Sequence, residues 1–281
     1  CALASRLSEN GKHQVALVEA GGRDWSPWIH IPVGYFKTMG NPKMDWSYKT
    51  EPDPGLNGRS INWPRGRVLG GSSSINGLLY VRGQKEDYEQ WRQLGNNGWG
   101  WDDVLPCFKR SESWEGGSSE LRGGSGPLSV SSTRLSRGAV DCYVEAAQTA
   151  GYPYNEDYNG ESQEGVGYFQ LTAARGQRCS AAKAYITPNR KRKNLTILTG
   201  LVTKQVVIED GHATGIVVVG GDGEQTIRAR CEVILSAGAI GSPQILMLSG
   251  IGPGQNLSDN GVDVRHNLKG VGQNLQDHLQ A

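Results

Sequence analysis

One stretch constrains the chain more than any other: Arg65-Gly66-Arg67-Val68-Leu69-Gly70-Gly71-Ser72-Ser73-Ser74-Ile75-Asn76-Gly77-Leu78-Leu79-Tyr80-Val81-Arg82-Gly83. Four glycines fall within its first thirteen residues, and glycine lets backbone press against a flat ligand that any Cβ would hold off. Three successive serines and Asn76 add small polar groups with almost no bulk. The stretch then turns apolar at Leu78-Leu79-Tyr80-Val81, as if entering a core. A surface loop of glycine and serine seldom runs straight into a buried strand. A wall against a large heteroaromatic cofactor with a polar edge accounts for both halves.

Upstream, Leu3 and Leu7 share a face of a helix over residues 2–8, closed by Asn10-Gly11. His13 to Glu19 has the composition of a short buried strand. Helix, turn and an apolar strand ending in an acid match the second half of a dinucleotide-binding βαβ unit, whose acid binds a ribose hydroxyl. Taken alone, Glu19 is equally an ordinary strand-end carboxylate. In the dinucleotide reading the first glycine of the loop lies about 20 residues earlier, before Cys1.

Residues 23–64 are rich in Trp, Pro and Gly and predict an extended excursion with little regular structure, with His30 packed inside it. Helices are expected over Asp87–Leu94 and Trp101–Arg110, with Tyr88, Trp91 and Leu94 in a core. Asp102 and Asp103 suit the N-terminus of the second. Residues 115–128 form a loop, and Ser136–Ala150 a helix with Val140, Tyr143, Val144 and Ala147 on one stripe. The basic run Arg190–Lys193 reads as a solvated loop. Alternating segments from Leu195 to Arg230, with turns at Asp210-Gly211 and Gly221-Asp222-Gly223, predict a β-meander. Glu232–Gly238 reads as a buried strand entering a glycine turn, then a helix with Ser242 as N-cap and Pro243 at its first position.

Several classes are disfavoured. A net charge of +1 argues against a nucleic-acid or membrane surface as the main partner. Five scattered cysteines without a C-x-x-C fit reduced thiols in a cytoplasmic setting, not a disulfide or metal framework. No apolar run reaches transmembrane length, so no transmembrane segment is expected. The histidines at 13, 30, 212, 266 and 278 form no nucleophile, metal or carboxylate constellation with other residues, so no catalytic or metal-ligating residue is expected within the chain.

The glycine-serine stretch Gly66–Gly83 resembles the first signature of the glucose–methanol–choline (GMC) oxidoreductases, and Gly238–Gly252 is similar to their second. Glu19-Ala20-Gly21-Gly22, Asn96–Pro106 and Gly270–His278 resemble further family blocks in family order, so the likeness covers nearly the whole chain. It implies an α/β fold: an FAD-binding Rossmann-like parallel sheet with a β-meander and an inserted substrate-side α+β module. Val15–Glu19 and Val233–Ser236 should lie near the centre of that sheet. The implied domains are 1–110 and 181–281 for FAD binding, with 111–180 as the insertion.

The resemblance implies FAD contacts at Glu19 (adenosine ribose), Val202 (adenine, through its backbone), and Val68, Gly71, Ser72, Asn76, Gly77, Leu78 and Leu79 (flavin side). Ala237 and Gly238 complete the cofactor set. Some members attach flavin covalently through a His where this chain has Ile75, so non-covalent FAD is expected. The implied function is FAD-dependent oxidation of a small-molecule alcohol, choline-like or primary, with electrons passed to an acceptor other than NAD. Alternatives are an O2-using alcohol oxidase, a hydroxynitrile lyase of the same family, and a non-catalytic flavin-binding fragment. A nicotinamide dehydrogenase would leave Gly66–Gly83 without a role. The expected setting is cytoplasmic, or against the inner face of a membrane. The family's catalytic His lies in a C-terminal block beyond Ala281, so the 281 residues alone are expected to be inactive. Substrate identity, acceptor and oligomeric state are not specified by the sequence.

Overall fold

The computed structural model describes residues 1–134 and 137–277; Ser136 and His278, both named above, lie outside that set. The described chain divides into two compact units, residues 1–17 with 22–197, and residues 18–21 with 198–281.

The first unit opens with α1 (Ala2–Leu7) and β1 (Val15–Glu19). The buried face of α1 is Ala4, Ser5 and Ser8, while Leu3 is half exposed, contrary to the Leu3/Leu7 expectation. Small residues are needed there because Arg192 reaches in, donating from Nη1 to the Ser5 carbonyl at 2.6 Å and to Ser8 Oγ at 3.0 Å. The basic run is therefore not wholly solvated; one of its guanidinium groups caps the last turn of α1. β1 pairs with β9 (Leu195–Thr199) in a two-stranded sheet through which the unit boundary passes. Val15 N–H donates to Asn194 O, and Gly200 N–H donates to Gly21 O, so the strands run parallel. β1 is half-buried, less than its composition suggested.

The excursion over 23–64 holds short helical turns, α2 (Pro27–His30) and α3 (Tyr35–Thr38), and a hairpin of β2 (Tyr48–Lys49) with β3 (Asn62–Trp63). His30 packs as expected, its Nε2 2.7 Å from the Asp24 carbonyl. Helices α4 (Lys85–Gln93) and α5 (Trp101–Ser111) fall where periodicity placed them. Their aromatics are not core: Tyr88, Trp91, Trp99, Trp101 and Phe108 meet one another edge-on or tilted, but Leu94 is 74% exposed and Trp99 53%. Three-residue spacing fixed a shared face without fixing what that face meets.

Strands β4 (Glu112–Trp114), β5 (Leu128–Ser132) and β6 (Gln170–Leu171) make a mixed sheet. Helix α6 (Gly138–Thr149) buries only Val144 of its expected stripe. A hairpin of β7 (Ala173–Ala174) with β8 (Gln177–Arg178) leads into a wide π-type turn over Ala182–Ile186. One core cluster joins Ala4, Leu69, Ala182, Ile186 and Leu195, with Val15, Leu17 and Ile197 packed against it.

In the second unit β10 (Val202–Glu209), β11 (His212–Gly220) and β12 (Gly223–Arg228) form the antiparallel meander in order. Asp210 and Gly211 both have positive φ, 49° and 77°, the conformation that a tight two-residue hairpin demands. Helix α7 (Gly238–Leu248) packs on β10, where Ser249 Oγ accepts the Val206 N–H at 2.8 Å. A short parallel pair, β13 (Ile251–Gly252) with β14 (His266–Asn267), flanks α8 (Gly254–Asp259).

The expected central strand at Val233–Ser236 does not form: Glu232–Ser236 is irregular and Ile234 is 45% exposed. An apolar run becomes a strand only when a neighbouring edge takes up its N–H and C=O groups, and none pairs with it among the described residues. Helix α7 also begins earlier than predicted. Ala237 is its N-cap, and Ser242 Oγ accepts the Ala237 N–H from inside the helix at 3.0 Å.

Candidate functional site

In the first unit the glycine-serine stretch folds back on itself. Gly66 N–H donates to Ser72 Oγ at 3.0 Å, and a Cβ at Gly66 would fall on the Gly71 carbonyl. Gly70 and Gly71 take positive φ, and Gly71–Ser74 forms one tight helical turn. Two hydroxyls hold it from within: Ser73 Oγ donates to Gly70 O at 2.6 Å and Ser74 Oγ to Leu69 O at 2.9 Å. Val68, Ile75 and Leu78 are each 2% exposed, and Val68 and Ile75 pack with Ile29 and Met44. These apolar side chains support the turn from behind.

The front differs. A Cβ at Gly71 or Gly77 would meet nothing within 4 Å, and Ser72 and Leu79 are exposed. Gly77 N–H has no acceptor among the described residues. Ser72 accepts a hydrogen bond and keeps its own O–H to donate. Open glycines beside available donors form a cradle that side chains would fill, which is the fit a flat cofactor with polar edges requires.

Leu78 has φ +66°, a conformation rare for a branched-chain residue. Its N–H donates to Asn76 Oδ1 at 3.1 Å, and its carbonyl accepts from Thr172 N–H at 2.8 Å. Asn76 is held in turn by Arg178, a residue sequence reasoning passed over. Arg178 donates from Nη1 to Asn76 Oδ1 at 2.7 Å and Ser73 O at 3.1 Å. Its Nη2 donates to Asn76 O at 2.8 Å and its Nε to Ile29 O at 2.8 Å. It is 1% exposed and has no carboxylate partner among the described residues. Burial lowers its pKa to about 10, so it stays charged at neutral pH.

Past the turn, Tyr80 N–H donates to Gln170 O, carrying the stretch alongside β6. Arg82 ends in a buried hub: its Nη2 donates to Glu112 Oε2 at 2.5 Å, and Arg122 Nη2 donates to Glu112 Oε1 at 2.6 Å. Arg122 also meets Asp157 and Gln170, and Asn159 Oδ1 accepts the Arg82 N–H at 2.8 Å. Burial raises the pKa of Tyr80 and Tyr158 beside it. Tyr80 and Arg82 belong to the glycine-serine stretch, but Glu112, Arg122, Asp157, Tyr158, Asn159 and Gln170 carry no periodic or motif signal. A cavity of about 440 Å³ elsewhere in the unit, lined by Arg6, Arg110, Tyr185 and Arg192 among others, shares no residue with the wall.

The second unit holds the other predicted residues. Glu19 Oε1 accepts the Gly21 N–H at 2.8 Å, and its carbonyl accepts the Leu201 N–H at 3.1 Å, which places Val202 next to it. Val202 then pairs with Val219. Ala237 and Gly238 are exposed at the start of α7, with Gly238 at φ +84°. No cluster of His, Cys, Asp and Glu suited to a metal occurs among the described residues.

The open glycine turn, the parallel β-pair and the antiparallel meander together are those of a cofactor-binding α/β protein. The chain belongs to the GMC oxidoreductase family: the family model described as GMC oxidoreductase matches residues 7–280. An oxygen-dependent choline dehydrogenase of Rhizobium etli is 48% identical over 279 residues, covering 99% of this chain and 51% of that protein. The protein of the same name from Photobacterium profundum is 46% identical, over 100% of this chain and 50% of its own length. The chain therefore spans about half the length of the curated relatives it matches. Among solved structures, pyridoxine 4-oxidase from Mesorbium loti superposes with a TM-score of 0.91 at 35% identity, over 95% of this chain and 53% of that one. A formate oxidase gives 0.85 at 32%, over 95% and 48%.

Proposed function

We propose that the protein is an FAD-dependent oxidoreductase acting on the CH–OH group of a small alcohol, choline or a close analogue, with electrons leaving to an acceptor other than NAD. The carrying observation is the front of the wall: open space at Gly71 and Gly77, a Gly77 N–H with no acceptor among the described residues and the Ser72 hydroxyl, all on a turn locked from behind. The choline dehydrogenase names of relatives at 46–48% identity support the substrate class. When bound, FAD supplies the hydride acceptor; the protein binds and orients.

In this reading Gly71, Ser72, Asn76, Gly77 and Leu79 serve the flavin side, with Val68 and Leu78 shaping the wall from within. Glu19 and Val202 serve the adenosine side, and Ala237 and Gly238 complete the set. Ile75 is apolar and 2% exposed, offering no nucleophile for a covalent link, so the FAD is held non-covalently. Residues 111–180 are the substrate-side insertion between FAD-binding parts 1–110 and 181–281. A second reading, direct use of O2, draws on the oxidase names of the two solved structures above. Among the described residues no helix is long and apolar enough to cross a membrane.

The test is a Gly77→Val substitution. A Cβ there meets no protein atom within 4 Å, so thermal stability should hold while FAD binding is lost. Equal FAD affinity in wild type and variant would refute the wall as the flavin site. In the protein at the length of its curated relatives, choline-dependent dye reduction under argon, compared with O2 consumption in air, separates the two acceptor readings.

A further inference from the structure

Arg178 is built into the wall in a way that packing alone does not require. A guanidinium with 1% exposure and no carboxylate beside it among the described residues is costly unless its hydrogen bonds are made and its charge is used. Its bonds all go to neutral oxygens, and three of the four go to Ser73 and Asn76 of the wall. Asn76 Oδ1 is shared between Arg178 and the Leu78 N–H, so the guanidinium fixes the side chain that fixes the left-handed Leu78. The Gly77 peptide lies between Asn76 and Leu78, and its N–H direction follows from theirs. A hydrogen-bonding fork of this shape cannot be reproduced by lysine.

We propose that Arg178 is a positioning residue for the cofactor: it sets the Asn76–Leu78 turn that presents the Gly77 N–H, and its uncompensated charge favours the two-electron-reduced, more negative form of the bound group. This rests on the flavin reading above. Positive charge in a low-dielectric surrounding stabilises added negative charge more than it would in water, and charge near the ring system tunes a flavin's electronics.

The experiment uses the protein at the length of its curated relatives, about twice this chain, carrying R178K or R178Q. FAD affinity is measured for the oxidised form in air and for the dithionite-reduced form under argon, and amide exchange is followed at Leu78 without FAD. Both variants should weaken oxidised FAD binding by about tenfold, the worth of one misplaced Gly77 N–H donor. Both should speed exchange at Leu78. R178K keeps the charge and should keep the wild-type preference for reduced over oxidised FAD. R178Q should lose about tenfold of that preference, or about 30 mV for a two-electron couple. A purely structural Arg178 would change affinity and leave the ratio untouched in both variants, and that result overturns the charge role. Unchanged Leu78 exchange in R178K overturns the positioning role, and it remains readable should R178Q fail to fold. Wild-type chain that binds no FAD in either form overturns the flavin reading together with this inference, whereas binding that the variants leave intact overturns this inference alone.

Discussion

Glu112 carries the sharpest stability prediction. It is fully buried and stands between two guanidinium groups, Arg82 and Arg122, which are 4% and 2% exposed. Its Oε2 accepts from Arg82 Nη2 at 2.5 Å and from Gly123 N–H at 2.8 Å; its Oε1 accepts from Arg122 Nη2 at 2.6 Å. Glu112→Gln keeps the volume, so no cavity term enters. Whichever way the amide is turned, its NH2 faces donors: Arg82 with Gly123 on one side, Arg122 on the other. One carboxylate charge is also removed from beside two buried cations. Breaking a buried pair in this way costs about 3–5 kcal/mol, or a fall in Tm of about 6–20 °C for a unit of this size. The loss should be insensitive to salt, because buried pairs are screened little. Calorimetry on wild type and E112Q at low and high salt checks it. A Tm within 2 °C, or a loss that shrinks as salt rises, would refute the claim that the hub is dry and mutually satisfied.

Gly66→Ala places a Cβ on the Gly71 carbonyl and beside the Ser72 nitrogen, main-chain atoms that cannot yield cheaply; a loss of about 1–3 kcal/mol is expected in denaturant melts. At Leu78, substitution by Gly relieves about 1–2 kcal/mol of left-handed strain but removes a buried side chain, a change that costs about 2–5 kcal/mol even as Leu to Ala. The cavity therefore wins, and L78G should melt below wild type; a rise in Tm would sink that ordering. On the meander, the Arg228 hydrogen bond, with a second from Thr214, holds Glu209 below its ordinary 4.5. A depressed carboxylate stabilises above its unfolded pKa, and that contribution is lost as pH falls through the folded value. Carboxyl NMR should show the Glu209 midpoint rise toward 4.5 in Arg228→Gln, with no change confined to neutral pH.

Local pattern was legible where one segment carries its own instruction. The Asp210-Gly211 turn fixed the register of β10 with β11, and Lys85–Gln93 and Trp101–Ser111 were readable as helices. Pattern failed where the outcome depends on a partner. Val233–Ser236 has strand composition without a paired edge among the described residues, Trp91 and Leu94 share a face that meets solvent, and α1 turns Ala4 instead of Leu3 toward Leu69, Ala182, Ile186 and Leu195. Each miss is a case of tertiary context deciding what a period of 2 or 3.6 leaves open.

At the site, sequence exposed the surface and hid its support. Glycines and serines announce themselves because close approach of backbone restricts the residue type. Arg178 does not, since it lies 102 residues from Asn76 in a short hairpin strand with no periodic signature. Glu112 and Arg122 are equally silent, each an ordinary charged residue until the fold buries both. The two buried groups nonetheless act on neighbouring parts of one segment. Arg178 holds residues 73–76 from behind, and the Arg82–Glu112–Arg122 hub anchors the segment six residues further on. The strained Leu78 sits between these anchors, with its N–H held by Asn76 and its carbonyl by Thr172. A left-handed leucine persists only where its surroundings over-determine it. Releasing either anchor should therefore show first as faster exchange at Leu78, before any loss of the meander in the other unit.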